Sequence, residues 1–167
     1  MFLIGAGNSA GQAAMFLANH AKTVTLLVRA DALAKSMSHY LMQQLGTKPN
    51  IRVELNSELA ALHGNGELAE IEIHDRAKDE RRRVPAGGVF IFIGADAATE
   101  WLPPEIARDE KGYVVTGAAA KARFLLETSV PGVFAAGDVR AGSVKRVAAA
   151  VGDGSLAVTF VRQHLER

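Results

Sequence analysis

The sequence predicts an α/β fold with a three-layer ββα domain, in which a parallel sheet is accompanied by an antiparallel β-meander. Phe2–Ile4 and Val24–Val28 are short and almost continuously apolar, which is typical of strands buried on both faces. Helical patterns separate these runs from each other and from a third strand at Ile51–Leu55, and such alternation predicts parallel pairing. Between residues 58 and 84 the pattern changes to β-rich runs with short turns, which predicts an antiparallel meander.

Two helices and one further strand complete the predicted first domain. The helices are expected over residues 9–20 and 36–45, and Gly46 suits a C-terminal cap of the second helix. The apolar run at residues 89–93 predicts a buried strand. We therefore expect the first domain to span residues 1–94.

The predicted meander has strands at residues 58–63, 68–74 and 81–84. Gly64-Asn65-Gly66 joins the first two and is a hairpin signal. The basic run at residues 81–83 is a candidate anion patch. Because it follows other charged residues and precedes a β-rich run, a solvated hairpin is the favoured interpretation.

The composition shifts at residues 95–104, and residues 95–167 are expected to form a second domain. Residues 112–116 predict a short strand, and residues 133–136 predict a buried one. A helix is expected over residues 144–165. Its apolar side chains lie on one stripe at helical spacing, namely Val144, Val147, Ala148, Val151, Val158, Val161 and Leu165.

Composition excludes several classes of protein. The chain has 167 residues, of which 49% are apolar, and its formal net charge of +1 gives no argument for nucleic-acid or membrane partners. Because it contains no cysteine, disulfides, cysteine metal sites and dithiol chemistry within this chain are excluded. No apolar run is long enough to span a bilayer and no signal peptide is apparent, so a cytoplasmic protein is expected.

A glycine motif lies between the first strand and the first helix. Residues 5–10 follow the pattern G-x-G-x-x-A inside a β-α-β unit, which is the dinucleotide-binding fingerprint of a Rossmann-type fold. Gly5 permits the tight turn, Gly7 lets a pyrophosphate approach the backbone, and Ala10 keeps the helix close to the strand. The alternative is a glycine turn without a ligand. The candidate binding residues are Gly5, Ala6, Gly7, Asn8, Ser9 and Ala10.

The end of the second strand distinguishes NAD from NADP. An acidic residue there accepts a hydrogen bond from the ribose 2′-hydroxyl of NAD, whereas this chain has Arg29, a cation that favours the 2′-phosphate of NADP. Lys35 lies just beyond, and Ser36 can add a hydroxyl. Two alternatives remain open. Either Asp31 reaches the ribose and the cofactor is NAD, or Arg29 is simply a surface cation.

No pattern indicates a catalytic residue or a metal site. Tyr40 is followed four residues later by Gln44 rather than lysine, so the Tyr–Lys pair of short-chain dehydrogenases is absent. The histidines are scattered without ligand spacing, and no serine has the context of a nucleophile elbow. An unrelated NAD-dependent dehydrogenase is therefore disfavoured.

A second constellation lies at residues 131–139. An apolar run delivers Asp138 into a turn just before a helix. A carboxylate there can hold a hydroxyl of a bound polyol or ribose, and the helix N-terminus can stabilise negative charge on a ligand. An Asp that caps a loop is the alternative interpretation.

The glycine motif, the meander, the strand ending at Gly94 and the stretch 128–139 together resemble the thioredoxin reductase family of flavoproteins, which are pyridine nucleotide-disulfide oxidoreductases. The Thr-Ser-x-Pro-Gly lead of that stretch is highly specific. The resemblance covers the whole chain, but only about the C-terminal half of a family member. It implies that residues 1–94 are the NADPH-binding domain and residues 95–167 an incomplete FAD-binding domain, its closing segment.

The resemblance also implies roles for individual residues. The glycine motif matches the NADP phosphate loop, and Arg29 matches the first of the family's 2′-phosphate arginines. The second arginine is Ala30 here, and Lys35 is an approximate stand-in for the third. Asp138 matches the residue that holds the flavin ribitol. Further cofactor-binding matches are Gly94, Gly137 beside the aspartate, and Arg146, Val147 and Ala148 beside the isoalloxazine ring, where Val147 replaces a polar residue.

The activity implied by the resemblance is that of an NADPH-dependent FAD oxidoreductase, which passes hydride from NADPH to FAD and on to an unidentified acceptor. The family's N-terminal FAD motif and its Cys-x-x-Cys pair are missing, and residues 11–14 and 35–38 are similar to a branch that need not have the dithiol. We therefore expect the chain alone to be inactive, to need the missing N-terminal FAD half, and to expose apolar surface that invites homodimerisation. The alternative is a non-catalytic nucleotide-binding regulatory module.

Overall fold

The computed structural model describes residues 1–166 and contains two compact units, Met1–Gly94 and a second that begins at Ala95. In chain order the first unit has β1 (Phe2–Ile4), α1 (Asn8–Leu17), β2 (Val24–Val28), α2 (His39–Gly46), β3 (Ile51–Leu55), β4 (Ser57–Gly64), β5 (Leu68–Asp75), β6 (Glu80–Pro85) and β7 (Val89–Ile91), and the second has α3 (Val147–Leu165).

The first unit has three layers built around a parallel sheet of order β3-β2-β1-β7. Because side chains alternate across a strand, successive residues enter different layers. Leu3 and Leu26 pack with α1 and α2, whereas Leu27 packs with Ile71 and Ile73 of the antiparallel sheet β4-β5-β6. These five residues are at most 1% exposed. The predicted Rossmann-like fold, with a parallel sheet and a β-meander, is confirmed.

Each arginine of the basic run at residues 81–83 has an acidic partner. Arg81 and Arg83 contact Glu72 on the neighbouring strand at 3.2 and 3.5 Å, and Arg82 pairs with Glu54 on β3. The hydrogen bond from Arg81 holds the pKa of Glu72 below its usual value. The run is therefore a paired, solvated hairpin, as favoured from the sequence.

The ends of the helices differ from the prediction. α1 ends earlier than expected, and α2 begins at His39 rather than at residue 36, after a 3₁₀ turn at Leu33–Lys35. Gly46 is the last residue of α2 rather than its cap. Thr47 follows it and donates from its hydroxyl to the Gln44 carbonyl at 2.7 Å. This bond satisfies a carbonyl at the helix end, so no left-handed glycine cap is needed.

The strand predicted at residues 89–93 is shorter and more exposed than its composition indicates. β7 covers three residues and lies at the edge of the sheet, where its partner among the described residues is β1. Ile91 and Ile93 are 63% and 70% exposed. The prediction of a buried strand is wrong for this unit, because no layer of the unit covers these two side chains.

The second unit has little regular structure besides α3. The segments predicted as strands at residues 112–116 and 133–136 form isolated bridges, through Val114 and Phe134 respectively. Both strand predictions are therefore wrong. Each segment finds partners for a single residue within residues 95–166, and a ladder needs several consecutive pairs.

α3 packs through a face that differs from the predicted apolar stripe. Phe160 stacks on Phe124 with ring centroids 5.4 Å apart, and His164 meets Phe134 edge-on at 6.2 Å. The stripe is solvent-exposed, which agrees with the expected apolar surface. Within the described part of the chain, none of the helices has the length and apolar character needed to cross a bilayer. The stripe residues Val144, Val147, Val151, Val158, Val161 and Leu165 are each at least 38% exposed.

Candidate dinucleotide-binding site

The glycine motif forms a tight turn between β1 and α1. Gly5 has a φ of +137°, and a Cβ at this position would lie 2.3 Å from the carbonyl oxygen of Phe92. The Phe92 N–H in turn donates to the Ile4 carbonyl at 2.7 Å, so the chain after β7 is held against the turn. Glycine is therefore required at position 5 by backbone conformation and by space within the protein itself.

Gly7 borders open space that a ligand can occupy. It is the N-cap of α1 with a φ of −83°, and a Cβ there would meet no atom within 4 Å. The first turn of α1 carries no acidic residue. Its N–H groups lack intrahelical partners and carry a partial positive charge. Ala10 is fully buried in the core beneath the turn, so the helix lies close to the sheet. This arrangement suits a phosphate group.

Two cations and one carboxylate follow β2. Arg29 is exposed and makes no ion pair with any other residue in the described range 1–166. Lys35 lies 2.7 Å from Asp31, and both side chains are 66% exposed. The hydrogen bond and the charge of Lys35 hold the pKa of Asp31 below its usual value. Asp31 is thus an ionised partner of Lys35, while Arg29 keeps an uncompensated charge.

The glycine motif is joined to the segment before α2. The Ser36 hydroxyl donates to the Ala6 carbonyl at 2.9 Å, and the Ser38 N–H donates to Asn8 Oδ1 at 2.8 Å. The sequence suggested that the Ser36 hydroxyl contacts a phosphate, but in the structure this hydroxyl donates its hydrogen bond within the protein. The sequence did not indicate these contacts because each joins residues 30 positions apart.

The second unit contains an open depression at the start of α3. Gly137 is buried, has a φ of +80°, and begins a 3₁₀ turn that includes the exposed Asp138. Ala148 lies on α3 outside the lining of this depression, and Gly94, with a φ of +96°, ends the first unit. Four residues matched to the flavin site lie together in the lining, which consists of Ala136, Gly137, Asp138, Lys145, Arg146, Val147, Ala150 and Val151.

Asp153, a residue of α3, holds this turn against the helix. The sequence did not lead us to predict this role. Its Oδ2 accepts hydrogen bonds from the Gly137 N–H at 3.0 Å and from Arg140 Nε at 2.9 Å. Burial opposes ionisation, but these two donors bring the pKa of Asp153 below its usual value. The available signal was an acidic residue between two glycines inside a predicted apolar helix.

Glu127 is a buried carboxylate, 4% exposed. It accepts hydrogen bonds from the N–H groups of Gly132 at 2.9 Å, Arg123 at 3.1 Å and Phe124 at 3.3 Å. The bond from Gly132 contributes most to lowering the pKa of Glu127. Because its oxygens are used to hold a loop, Glu127 has a structural role. Across residues 1–166, no group of three or more His, Asp or Glu side chains is arranged to hold a metal ion.

Comparison with known proteins gives a family. The family model described as pyridine nucleotide-disulphide oxidoreductase matches residues 1–154. The chain is 32% identical over 166 residues to a thioredoxin reductase of Chlamydia trachomatis, covering 99% of this chain and 51% of that protein. It is 30% identical over 165 residues to the 34.2 kDa protein in the rubredoxin operon of Clostridium pasteurianum, with the same coverage of 99% and 51%. The chain thus spans about half the length of these curated relatives.

A solved structure shows the same fold. The crystal structure of T. acidophilum thioredoxin reductase superposes with a TM-score of 0.77 and 30% sequence identity, over 99% of this chain and 52% of that chain. The resemblance recognised in the sequence is therefore confirmed. Since the family model matches most of its length, this chain belongs to the pyridine nucleotide-disulphide oxidoreductase family, within which it is similar to thioredoxin reductases.

Proposed function

We propose that the first unit of this chain binds NADPH. The observation that carries the proposal is the turn at residues 5–7, where Gly5 is required by the protein and Gly7 leaves an open approach to α1. A pyrophosphate in that space meets the N–H groups of the helix N-terminus and no acidic side chain of the first turn. Ala6 lies in the same turn, and Asn8 and Ser9 are the first two residues of α1.

The charges beyond β2 support NADPH over NADH. The guanidinium of Arg29 is exposed and free of ion pairs within residues 1–166, so it can bind a 2′-phosphate with two parallel hydrogen bonds. Lys35 contributes less because Asp31 neutralises it at 2.7 Å. The same pair disfavours NAD, since a carboxylate engaged with Lys35 is less available to a ribose hydroxyl.

We infer that the second unit supplies part of an FAD site. Gly137 brings the backbone to the depression without a Cβ, and the exposed carboxylate of Asp138 can accept from a ribitol hydroxyl. Arg146 and Val147 line the same depression, whereas Ala148 and Gly94 are proposed on the family resemblance alone. NADPH and FAD supply the hydride chemistry when both are bound, and the residues of this chain bind and orient them.

The whole protein is proposed to be an NADPH-dependent flavoprotein oxidoreductase with an acceptor that this chain does not identify. Because the chain spans about half the length of its relatives, we infer that FAD binding needs the other half. We expect this chain alone to bind NADPH weakly and to catalyse no turnover. Its exposed α3 stripe offers apolar surface to that half or to a second copy.

The test is a calorimetric titration of the purified chain with NADPH and NADH in parallel. Tighter binding of NADPH is expected, and binding of neither nucleotide would refute the proposal. A second experiment mixes the chain with the purified N-terminal half of a relative. A gain in bound flavin and NADPH oxidation is expected, whereas nucleotide binding without flavin reduction would favour the regulatory module.

A further inference from the structure

We propose that Ser36 and Asn8 are positioning residues that hold the glycine motif ready for the pyrophosphate of a nicotinamide dinucleotide. They do so through residues 36–38, a segment that we call the strap. The inference rests on the proposed nucleotide binding of the first unit. It adds that the affinity of the loop depends on a segment that follows β2 in the chain.

The strap forms hydrogen bonds to the glycine motif on both sides of Gly7. Ser36 binds the carbonyl of Ala6, the residue before it, and the strap's Ser38 N–H binds the side chain of Asn8, the residue after it. In a trans peptide the C=O and the following N–H point in opposite directions, and the chain contains no cis peptide among its described residues. Holding the Ala6 carbonyl toward the strap therefore turns the Gly7 N–H away from it.

This orientation matters because Gly7 borders open space. A Cβ on Gly7 would meet no protein atom within 4 Å, so the space beside its Cα is open to an anion. A donor that already points at the position of a charge binds it better than one that must be ordered on binding. The strap thus prepares the loop before the nucleotide arrives.

Asn8 contributes in a second way. Its Oδ1 is identified as the acceptor because the Ser38 backbone N–H donates to it. The Nδ2 group has no hydrogen-bond partner in the described residues and lies on an exposed side chain at the first position of α1. We infer that this amide donates to a pyrophosphate oxygen.

The strap is anchored by buried packing as well as by hydrogen bonds. Met37, its central residue, is 4% exposed. On α1, a Cβ at Gly11 would lie 3.0 Å from Met37 Cε and 2.5 Å from Leu41 Cδ2, so the glycine allows strap and helices to lie in close contact. Since Met37 retains this packing, removal of the exposed Ser36 hydroxyl should leave the fold intact.

The experiment compares Ser36→Ala with Ser36→Thr, which keeps the hydroxyl, by calorimetric titration with NADPH and with NADH. Loss of one hydrogen bond should weaken Ser36→Ala about fivefold toward both nucleotides, because the pyrophosphate is common to them. The affinity ratio between NADPH and NADH should stay unchanged, and Ser36→Thr should bind like the original chain.

The outcomes separate this inference from the proposed function. Unchanged affinities in Ser36→Ala, with normal binding by the original chain, overturn the strap and leave nucleotide binding standing. A loss confined to NADPH also overturns it, since Ser36 would then contact the 2′-phosphate. Binding of neither nucleotide by the original chain refutes the proposed function and the strap with it.

Asn8→Ala provides a second, independent variant. It removes one anchor of the strap and the free amide donor, so we expect a larger loss than in Ser36→Ala, again equal for NADPH and NADH. All titrations are made well below the melting temperature of each variant, so that a change reports the loop rather than unfolding. Original affinity in Asn8→Ala would overturn the role assigned to this residue.

Discussion

Alanine substitutions at Gly5 and Gly7 should separate the two reasons for glycine in the nucleotide motif. At Gly5 a Cβ would lie 2.3 Å from the Phe92 carbonyl oxygen, and the φ of +137° is one that L residues rarely adopt. Backbone strain of this kind costs about 1–3 kcal/mol. The steric overlap adds to it, because Phe92 cannot retreat without losing its 2.7 Å hydrogen bond to Ile4. We expect Gly5→Ala to lower the free energy of unfolding by about 3 kcal/mol or more.

Gly7→Ala is the matched control with the opposite expectation. The φ of −83° suits alanine and no atom lies within 4 Å of the added methyl, so the free energy of unfolding should change by less than about 1 kcal/mol. The methyl would nevertheless occupy the approach of the pyrophosphate. We expect NADPH affinity to fall about tenfold, which corresponds to about 1.4 kcal/mol.

Chemical denaturation followed by circular dichroism measures the stability of each variant, and NADPH titration measures its affinity. Gly5→Ala with the stability of the original chain would refute the steric argument. Undiminished NADPH binding by Gly7→Ala would show that the open space beside α1 does not receive the pyrophosphate.

Three further predictions follow from the charged residues. Arg29→Ala should lose about tenfold or more in NADPH affinity while NADH affinity is unchanged, and an equal loss for both would contradict the 2′-phosphate assignment. Glu127→Gln should lower the free energy of unfolding by about 2 kcal/mol at neutral pH, because a charged acceptor of three N–H groups is lost. Since the pKa of Glu127 is lowered on folding, its contribution is present above the unfolded pKa and is lost as the pH falls through the folded one, so denaturation of both proteins in acid should show the difference shrinking. Asp79 and then Glu58 raise the pKa of His74 from 6.5, so its stabilisation is complete below the unfolded pKa and is lost as the pH rises through the higher folded pKa. Denaturation across that range should show a decline that His74→Gln abolishes, and a decline that persists in the variant would exclude His74 as its cause.

Local patterns were sufficient for the centre of the first unit. β1, β2 and β3 have the bounds expected from the sequence. The apolar runs of β1 and β2 are typical of strands in a parallel sheet that is covered on both faces. The turn at residues 5–7 was also predicted from the sequence. At position 5, glycine is required by the backbone conformation and by the lack of space for a Cβ. The meander followed from alternation along the chain and a hairpin signal.

The sequence predicted the contacts of the cofactor-binding residues only in part. The sequence showed Arg29, Lys35 and Asp31 near one strand end, but it did not show that the last two form a pair at 2.7 Å. The sequence suggested Ser36 as a phosphate contact, whereas in the structure its hydroxyl donates a hydrogen bond to the Ala6 carbonyl. Such pairings are decided by side-chain geometry between segments, which a linear pattern does not contain.

The parallel sheet, the meander and the nucleotide motif were predictable because each depends on hydrophobic period or on backbone constraints within a few residues. Contacts between distant segments were needed to establish which face of α3 packs, that Ile91 and Ile93 are exposed, and that Asp153 holds the turn at Gly137. An apolar run indicates that its side chains favour burial. Which segment covers them depends on contacts between residues distant in the chain.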